Sequence, residues 1–329
     1  MWTYRLEGPL RLVRHEIAPP DESELVDGEV VLRFRTGGIC GSDIPRCRDG
    51  VLGGGPPPYG FSLHEIVGDV VHSRSDLAVG AHVVGWVSRS SGLSEYVRTN
   101  AVELLPIDVG LDDVHAVALQ PLACVLHALS RLPTIAGSRA AVIGLGPIGL
   151  LFAHGLKDAG AASVFGVDAI DRRDVAATYG LDRVECLTSR TWASRPDSFD
   201  AFDIVIEAVG HQVRTLEDAM RVAAPGATVV AYGNTDSEDR YPLPLGVMMD
   251  KYLTLQTGRT PIEQRRAALA LAVDYLARYP GLFSTYVTDV WPVAEAPAAY
   301  ELASRPAVGR LKVVLDGVRP DGVTSPTRT

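Results

Sequence analysis

Cys40 heads the run Cys40-Gly41-Ser42-Asp43, and the pair His64-Glu65 follows it along the chain. Thiolate and imidazole are the side chains zinc prefers, and an open zinc site takes three protein ligands with the fourth position left to water or substrate. Downstream, Gly144-Leu145-Gly146-Pro147-Ile148-Gly149 has the spacing of a dinucleotide-binding turn. Metal ligands in one segment and a nucleotide motif in another point to metal-assisted hydride transfer.

The elements around the glycine run lift it above chance. Residues 139–143 read as a buried strand, and a helix is expected from Pro147 to about residue 159. Gly144 permits the tight turn, Gly146 lets the backbone approach a pyrophosphate, and Gly149 allows close helix–strand packing. Pro147 and Ile148 open the helix, whose free N–H groups suit phosphate. Asp168 ends the next expected strand, where a carboxylate accepts the adenosine-ribose hydroxyls and repels a 2′-phosphate, so NAD is favoured over NADP. Arg172 and Arg173 stand close by and weigh the other way, which makes Arg173 a further cofactor-binding candidate. The plain alternative is a glycine turn in an α/β domain that binds no cofactor.

The rest of the chain supplies the frame. Short strand-like runs at residues 29–35, 66–71 and 82–87 fill the first third, and residues 53–58, Gly-Gly-Gly-Pro-Pro-Pro, must be a loop. Residues 116–129 form a helical run. From about residue 137, strands and helices alternate (203–207, 215–222, 228–232), as in a doubly wound parallel sheet. A helix over 261–278 and strands over 284–290 and 311–315 then return to the first domain. The expected division is therefore 1–136 completed by 270–317, a dinucleotide-binding domain over 137–269, and a disordered tail over 318–329.

Composition narrows the function classes. With 329 residues and 47% hydrophobic residues the chain can build two cores, and a net charge of −9 argues against nucleic acid. The three lysines, Lys157, Lys251 and Lys312, leave arginine to carry nearly all the positive charge. The start of the chain does not read as a signal peptide, and the apolar run 140–153 is too short and glycine-broken to span a bilayer, so a soluble cytoplasmic protein without membrane partner is expected. The four cysteines are scattered with no Cys-x-x-Cys pair, which indicates neither a zinc knuckle nor a disulfide framework.

In order, Gly38-Ile39-Cys40-Gly41-Ser42-Asp43, His64-Glu65-Ile66-Val67-Gly68, Val79-Gly80-Ala81-His82-Val83, Leu119-Gln120-Pro121-Leu122-Ala123, the glycine turn, Ile206-Glu207-Ala208-Val209-Gly210 and Lys312-Val313-Val314-Leu315 cover nearly the whole chain. This series resembles the medium-chain dehydrogenase/reductase superfamily, in its zinc-dependent alcohol and sorbitol (polyol) dehydrogenase branch. The resemblance implies a GroES-like β-rich catalytic domain with a Rossmann domain inserted. It also implies Cys40 and His64 as zinc ligands, with Glu65 behind the metal or exchanging onto it. Asp43 would orient the imidazole, and Ser42 would take the proton of the substrate hydroxyl. Val209 becomes a cofactor-binding candidate, and His211 lies either near the nicotinamide or in a solvated loop. A homodimer or homotetramer is expected from the resemblance alone.

Three departures qualify it. The cysteine-rich lobe that holds a structural zinc in many relatives is missing between Trp86 and Tyr96, so one catalytic zinc and no structural zinc is expected. The third ligand position is Gln120, whose neutral amide is a weaker ligand than glutamate or cysteine. Pro45 stands where a histidine commonly passes the proton onward. Arg46 either faces a polar substrate or points to solvent beside Arg48 and Asp49, and Cys47, Cys124, Cys186 and His127 read as packing residues. The overall expectation is an NAD-dependent, zinc-assisted dehydrogenase acting on a secondary alcohol of a polyol, sugar or cyclitol. A zinc-free enoyl or quinone reductase and a non-catalytic dinucleotide-binding protein are the alternatives.

Overall fold

The computed structural model describes residues 1–49, 57–108, 110–233 and 241–318. Most of the loop expected at 53–58, and the tail beyond Val318, lie outside these residues. The contacts divide the chain into two compact units, Met1–Ala123 with Pro261–Pro306 and Arg310 onward, and Cys124–Thr260 with Ala307–Gly309.

The first unit opens with an antiparallel hairpin, β1 (Trp2–Leu6) and β2 (Leu12–Glu16). β3 (Glu29–Gly38) leads to a short helix α1 (Asp43–Asp49). β4 (Glu65–Ser73), β5 (His82–Trp86), β6 (Tyr96–Asn100), β7 (Leu104–Pro106) and α2 (Asp113–Ala116) come next, followed by α3 (Leu119–Ser130), which begins in this unit and ends in the second. After the second unit the chain returns through α8 (Arg265–Arg278), β14 (Val287–Pro292), α9 (Ala296–Ala303) and β15 (Lys312–Asp316). A seven-stranded sheet runs β14-β15-β3-β4-β5-β7, with β6 also paired to β3. The long strand β3 reads Val-Val-Leu-Arg-Phe-Arg, and its Val30, Leu32 and Phe34 share one buried core with Ile66, Val70, Val83, Leu104 and Val313. Strand register sets Gly38 opposite Glu65 in β4 and opposite Val314 in β15.

The second unit builds β8 (Arg139–Ile143), α4 (Pro147–Asp158), β9 (Ser163–Asp168), β10 (Arg183–Cys186), α5 (Ser189–Ala193), β11 (Phe202–Glu207), α6 (Val213–Val222), β12 (Ala223–Ala231), α7 (Leu245–Lys251) and β13 (Thr254–Thr257). Its sheet is parallel throughout, in the order β10-β9-β8-β11-β12-β13. The direction of winding reverses between β8 and β11, and such a switch point is where doubly wound sheets bind ligands, outside the carboxyl ends of the strands. The glycine turn follows β8, and Ala208-Val209-Gly210 follows β11.

Several bounds differ from the pattern reading. The expected helix 116–129 is two helices, and Pro121 falls in the first turn of α3, where a missing N–H deprives no intrahelical acceptor. The units part at Ala123 and Pro261 rather than at 136 and 269. At the later boundary, α8 is held to the first unit by Arg265 on Glu103 and by Arg266 on Asp76 and the carbonyls of Ala101 and Leu104. At the earlier one, Arg131 donates to Thr257 O, and Gln256 donates to Ala128 O, within the second unit. The stretch Asp113–Ser130 has a mean hydropathy of 1.2 and the length to cross a membrane, but 67% of it is buried in the protein, which is where its apolar face is used.

Candidate metal and dinucleotide sites

Cys40 lies just beyond β3, and His64 and Glu65 stand at the start of β4, so strand pairing brings the three together. Their ligand atoms all lie within 4.8 Å of one another, and among the described residues they are the group of three placed to hold a metal ion. A thiolate, an imidazole and a carboxylate at this spacing fit zinc by donor type.

Asp43, the first residue of α1, is fully buried and joins two of these residues. Its Oδ2 accepts from the Cys40 N–H at 2.9 Å, and its Oδ1 accepts from His64 Nδ1 at 3.0 Å. A carboxylate oxygen accepts the hydrogen bond of Nδ1–H, which leaves Nε2 as the nitrogen that a metal would take in exchange for the second ring proton. Burial works against a charged imidazole, but the Asp43 carboxylate, with help from Cys40, outweighs it and holds the His64 pKa well above the usual range.

Glu65 is engaged elsewhere in this structure. Lys312 Nζ at the start of β15 donates to its Oε1 at 2.7 Å and lies 2.5 Å from Oε2. Sequence reasoning places Lys312 within a motif and gives it no role. The one available signal is a lysine opening the apolar run Val313-Val314-Leu315 in a chain with three lysines.

Ser42 is half-buried in the turn between Cys40 and α1, and Gln120 is buried in α3. Arg46 belongs to the helix α1 and is half-buried, while Arg48 pairs with Asp49. Cys47 is fully buried, its Sγ 3.2 Å from Ser62 Oγ, and burial pushes its thiol up to about 12. It is a packed thiol. Between Trp86 and Tyr96 the chain makes one short turn at Ser88–Ser90, and Ser88 Oγ donates to buried Glu103 at 2.6 Å.

In the second unit, Gly144 has a φ of +91°, open to glycine at little cost, and a Cβ there would sit 2.7 Å from Val209 Cγ2. A Cβ on Gly149 would fall 1.8 Å from the carbonyl oxygen of Gly144, so α4 can start this close to the turn only with glycine. At Gly146 a Cβ would meet no protein atom, which leaves the face above Pro147 and Ile148 open. Glu207, at the end of β11, accepts from the N–H groups of Val209 and Gly210 at 3.0 Å each and so fixes the turn beside Gly144. Burial raises the Glu207 pKa despite those donors. Pattern reading places Glu207 within a motif and assigns it no function.

Asp168 accepts from Leu145 N–H at 2.7 Å and from Ile170 N–H at 2.8 Å, which ties its carboxylate to the glycine turn. Arg173 is bound to Asp171, its Nε lying 2.9 and 3.0 Å from the two oxygens, and the guanidinium beside it lowers the Asp171 pKa to about 2. Arg172 is buried and donates to Ala307 O at 3.0 Å. His127 is a packed ring whose Nε2 finds no hydrogen-bond partner among the described residues, and burial together with Arg131 lowers its pKa.

Comparison with known proteins places the chain. The alcohol dehydrogenase GroES-like domain family matches residues 26–117, and the zinc-binding dehydrogenase family matches residues 147–273. The chain belongs to the zinc-type alcohol and polyol dehydrogenases of the medium-chain dehydrogenase/reductase superfamily, and it is an oxidoreductase of the alcohol dehydrogenase class. It is 25% identical to a glucose 1-dehydrogenase of Metallosphaera sedula, covering 91% of this chain and 97% of that protein. It is 28% identical to L-galactonate-5-dehydrogenase of Escherichia coli K12, covering 80% and 88%. The solved alcohol dehydrogenase TADH from Thermus sp. ATN1 superposes with a TM-score of 0.79 at 26% identity, covering 97% of this chain and all of that one.

Proposed function

We propose that the protein is a zinc-assisted, NAD-dependent dehydrogenase that interconverts a secondary alcohol of a polyol, sugar or cyclitol with its ketone. The observation that carries this reading is the cluster of Cys40, His64 and Glu65 ligand atoms, with His64 held through Nδ1 by Asp43. Relatives named for glucose, L-galactonate and D-arabinitol support the substrate class.

In this reading Cys40 and His64 hold one catalytic zinc, with Glu65 or Gln120 completing the shell, and the chain has no structural zinc. Bound there as a Lewis acid, zinc lowers the pKa of the substrate hydroxyl. Ser42 would take the hydroxyl proton, and Pro45, standing where a histidine commonly passes it onward, offers no group to accept it, so its release would need a bound nicotinamide ribose or another group. Gly144, Gly146, Pro147, Ile148 and Gly149 cradle the pyrophosphate, Val209 lines the cofactor, and Asp168 accepts the ribose hydroxyls. The pairing of Arg173 with Asp171 reduces its attraction for a 2′-phosphate and supports NAD over NADP. We assign the protein to the cytoplasm as a homodimer or homotetramer.

The test is metal analysis of the purified protein joined to a screen of NAD reduction across polyols, sugar alcohols and aminocyclitols. One zinc per chain, with alcohol oxidation abolished by a chelator and restored by zinc, is the expected result. A zinc-free protein that reduces alkenes with NADPH would overturn it in favour of the reductase alternative.

A further inference from the structure

Cys47 and Ser62 join the same two segments that Asp43 and His64 join. α1 carries Asp43 as its first residue and Cys47 four residues on, a spacing that sets both on one face of a helix. Asp43 meets His64 Nδ1 at 3.0 Å, and Cys47 Sγ meets Ser62 Oγ at 3.2 Å, two residues before His64. Asp43, Cys47 and Ser62 are each 0% exposed. Cys47 belongs to the core that also holds Ile39, Phe61, Leu63 and Tyr300, so the thiol–hydroxyl contact is closed to water.

Main-chain bonds already fix the path of the segment that leads into β4. Gly60 N–H donates to Tyr4 O at 2.8 Å, Gly92 N–H to Leu63 O at 2.9 Å, and Val87 N–H to His64 O at 2.9 Å. The far end of α1 is anchored by Leu10 N–H, which donates to Cys47 O at 2.7 Å. These bonds leave the direction of the His64 ring to side chains. With Asp43 alone, α1 would hold the segment at one point and could pivot about it. Cys47 and Ser62 supply a second point one helical turn away. Replacing both partners of a buried hydrogen bond by apolar groups is often nearly neutral for stability, so packing does not by itself call for a thiol facing a hydroxyl here.

We propose that Cys47 and Ser62 are a positioning pair for the metal site. They lock α1 to the segment before β4, keep the Asp43–His64 bond at a fixed angle, and so hold the His64 ring beside Cys40. This inference rests on the zinc reading above.

The test is a double-mutant cycle of Cys47→Ala, Ser62→Ala and the two together. It is read by zinc affinity of the metal-free full-length protein in chelator competition, and by the visible absorption of the cobalt(II)-loaded form. Each single variant is expected to bind zinc about tenfold more weakly and to shift the cobalt(II) bands, at the low end of the range for groups behind metal ligands. The double variant should lose about the same factor, because either change already breaks the pair. Cys47→Ser keeps a group that can bond Ser62 and should retain the wild-type spectrum. Val83→Ala, in the same core, should lower the melting temperature and leave both metal readouts unchanged. Single variants that melt earlier but keep wild-type zinc affinity and spectrum would reduce the pair to packing and overturn the inference. Losses that multiply in the double variant would overturn it too. A wild-type protein that takes up neither zinc nor cobalt would overturn the zinc reading as well, which separates the two failures.

Discussion

At the scale of single residues, the first site is organised by Asp43. One buried carboxylate accepts from both the backbone of Cys40 and the ring of His64, so the two ligand residues are oriented by the same group. Such partners of metal ligands typically matter by about 10- to 100-fold in metal affinity. Ser42, next to Asp43, has a different assignment, moving the proton rather than holding the metal. Ser42→Ala is therefore expected to retain one zinc per chain while kcat falls by about 10²- to 10⁴-fold, the usual range for a lost proton-transfer group. Metal analysis beside steady-state NAD reduction checks this, and parallel loss of zinc and activity would instead make Ser42 part of the metal scaffold.

Turns after β8 and β11 decide the second site at the scale of elements. Gly149 lets α4 begin against the carbonyl of Gly144, and Gly149→Ala has no room for its methyl group. We expect this variant to lose about 1–3 kcal/mol of stability through overpacking, and to bind NAD⁺ more weakly because the turn must open. Denaturant unfolding with fluorescence titration of NADH would show both effects. Glu207 braces the neighbouring turn at a cost that depends on pH. Its folded pKa is raised above the ordinary 4.5, so the stability of the protonated form is fully present below 4.5 and is lost as pH rises through the raised value. Glu207→Gln keeps an acceptor oxygen for Val209 and Gly210 without the buried charge. Its melting temperature relative to wild type should thus climb as pH rises above 4.5 and through the raised folded value; a pH-independent difference would contradict this.

For the whole molecule, the ligands expected to bind make separate demands, metal on the first unit and dinucleotide on the second. Any ligand that binds only the folded chain stabilises it by mass action, about 2.7 kcal/mol at a hundred times its dissociation constant. NAD⁺ is expected to raise the melting temperature, and NADP⁺ at equal concentration to raise it less, because under the proposed assignment the Asp168 carboxylate would repel a 2′-phosphate and Arg173 is already paired with Asp171. An equal or larger shift with NADP⁺ in a thermal-shift assay would reverse the assigned preference. The amino-acid sequence alone determines the parts that obey local rules. Glycines at 144, 146 and 149 must turn tightly before a helix, and alternating strands and helices must wind a parallel sheet. A cysteine and a histidine, each with a carboxylate close behind it (Asp43, Glu65), offer zinc ligands if the fold brings them together. The tertiary structure alone decides the rest, because those facts depend on register and distant partners. It pairs Glu65 with Lys312 from the far end of the chain. It places Gly38 opposite both strands that carry the pair, and it assigns α8 to the first unit through Arg265 and Arg266. Long-range ion pairing leaves no periodic trace in a sequence.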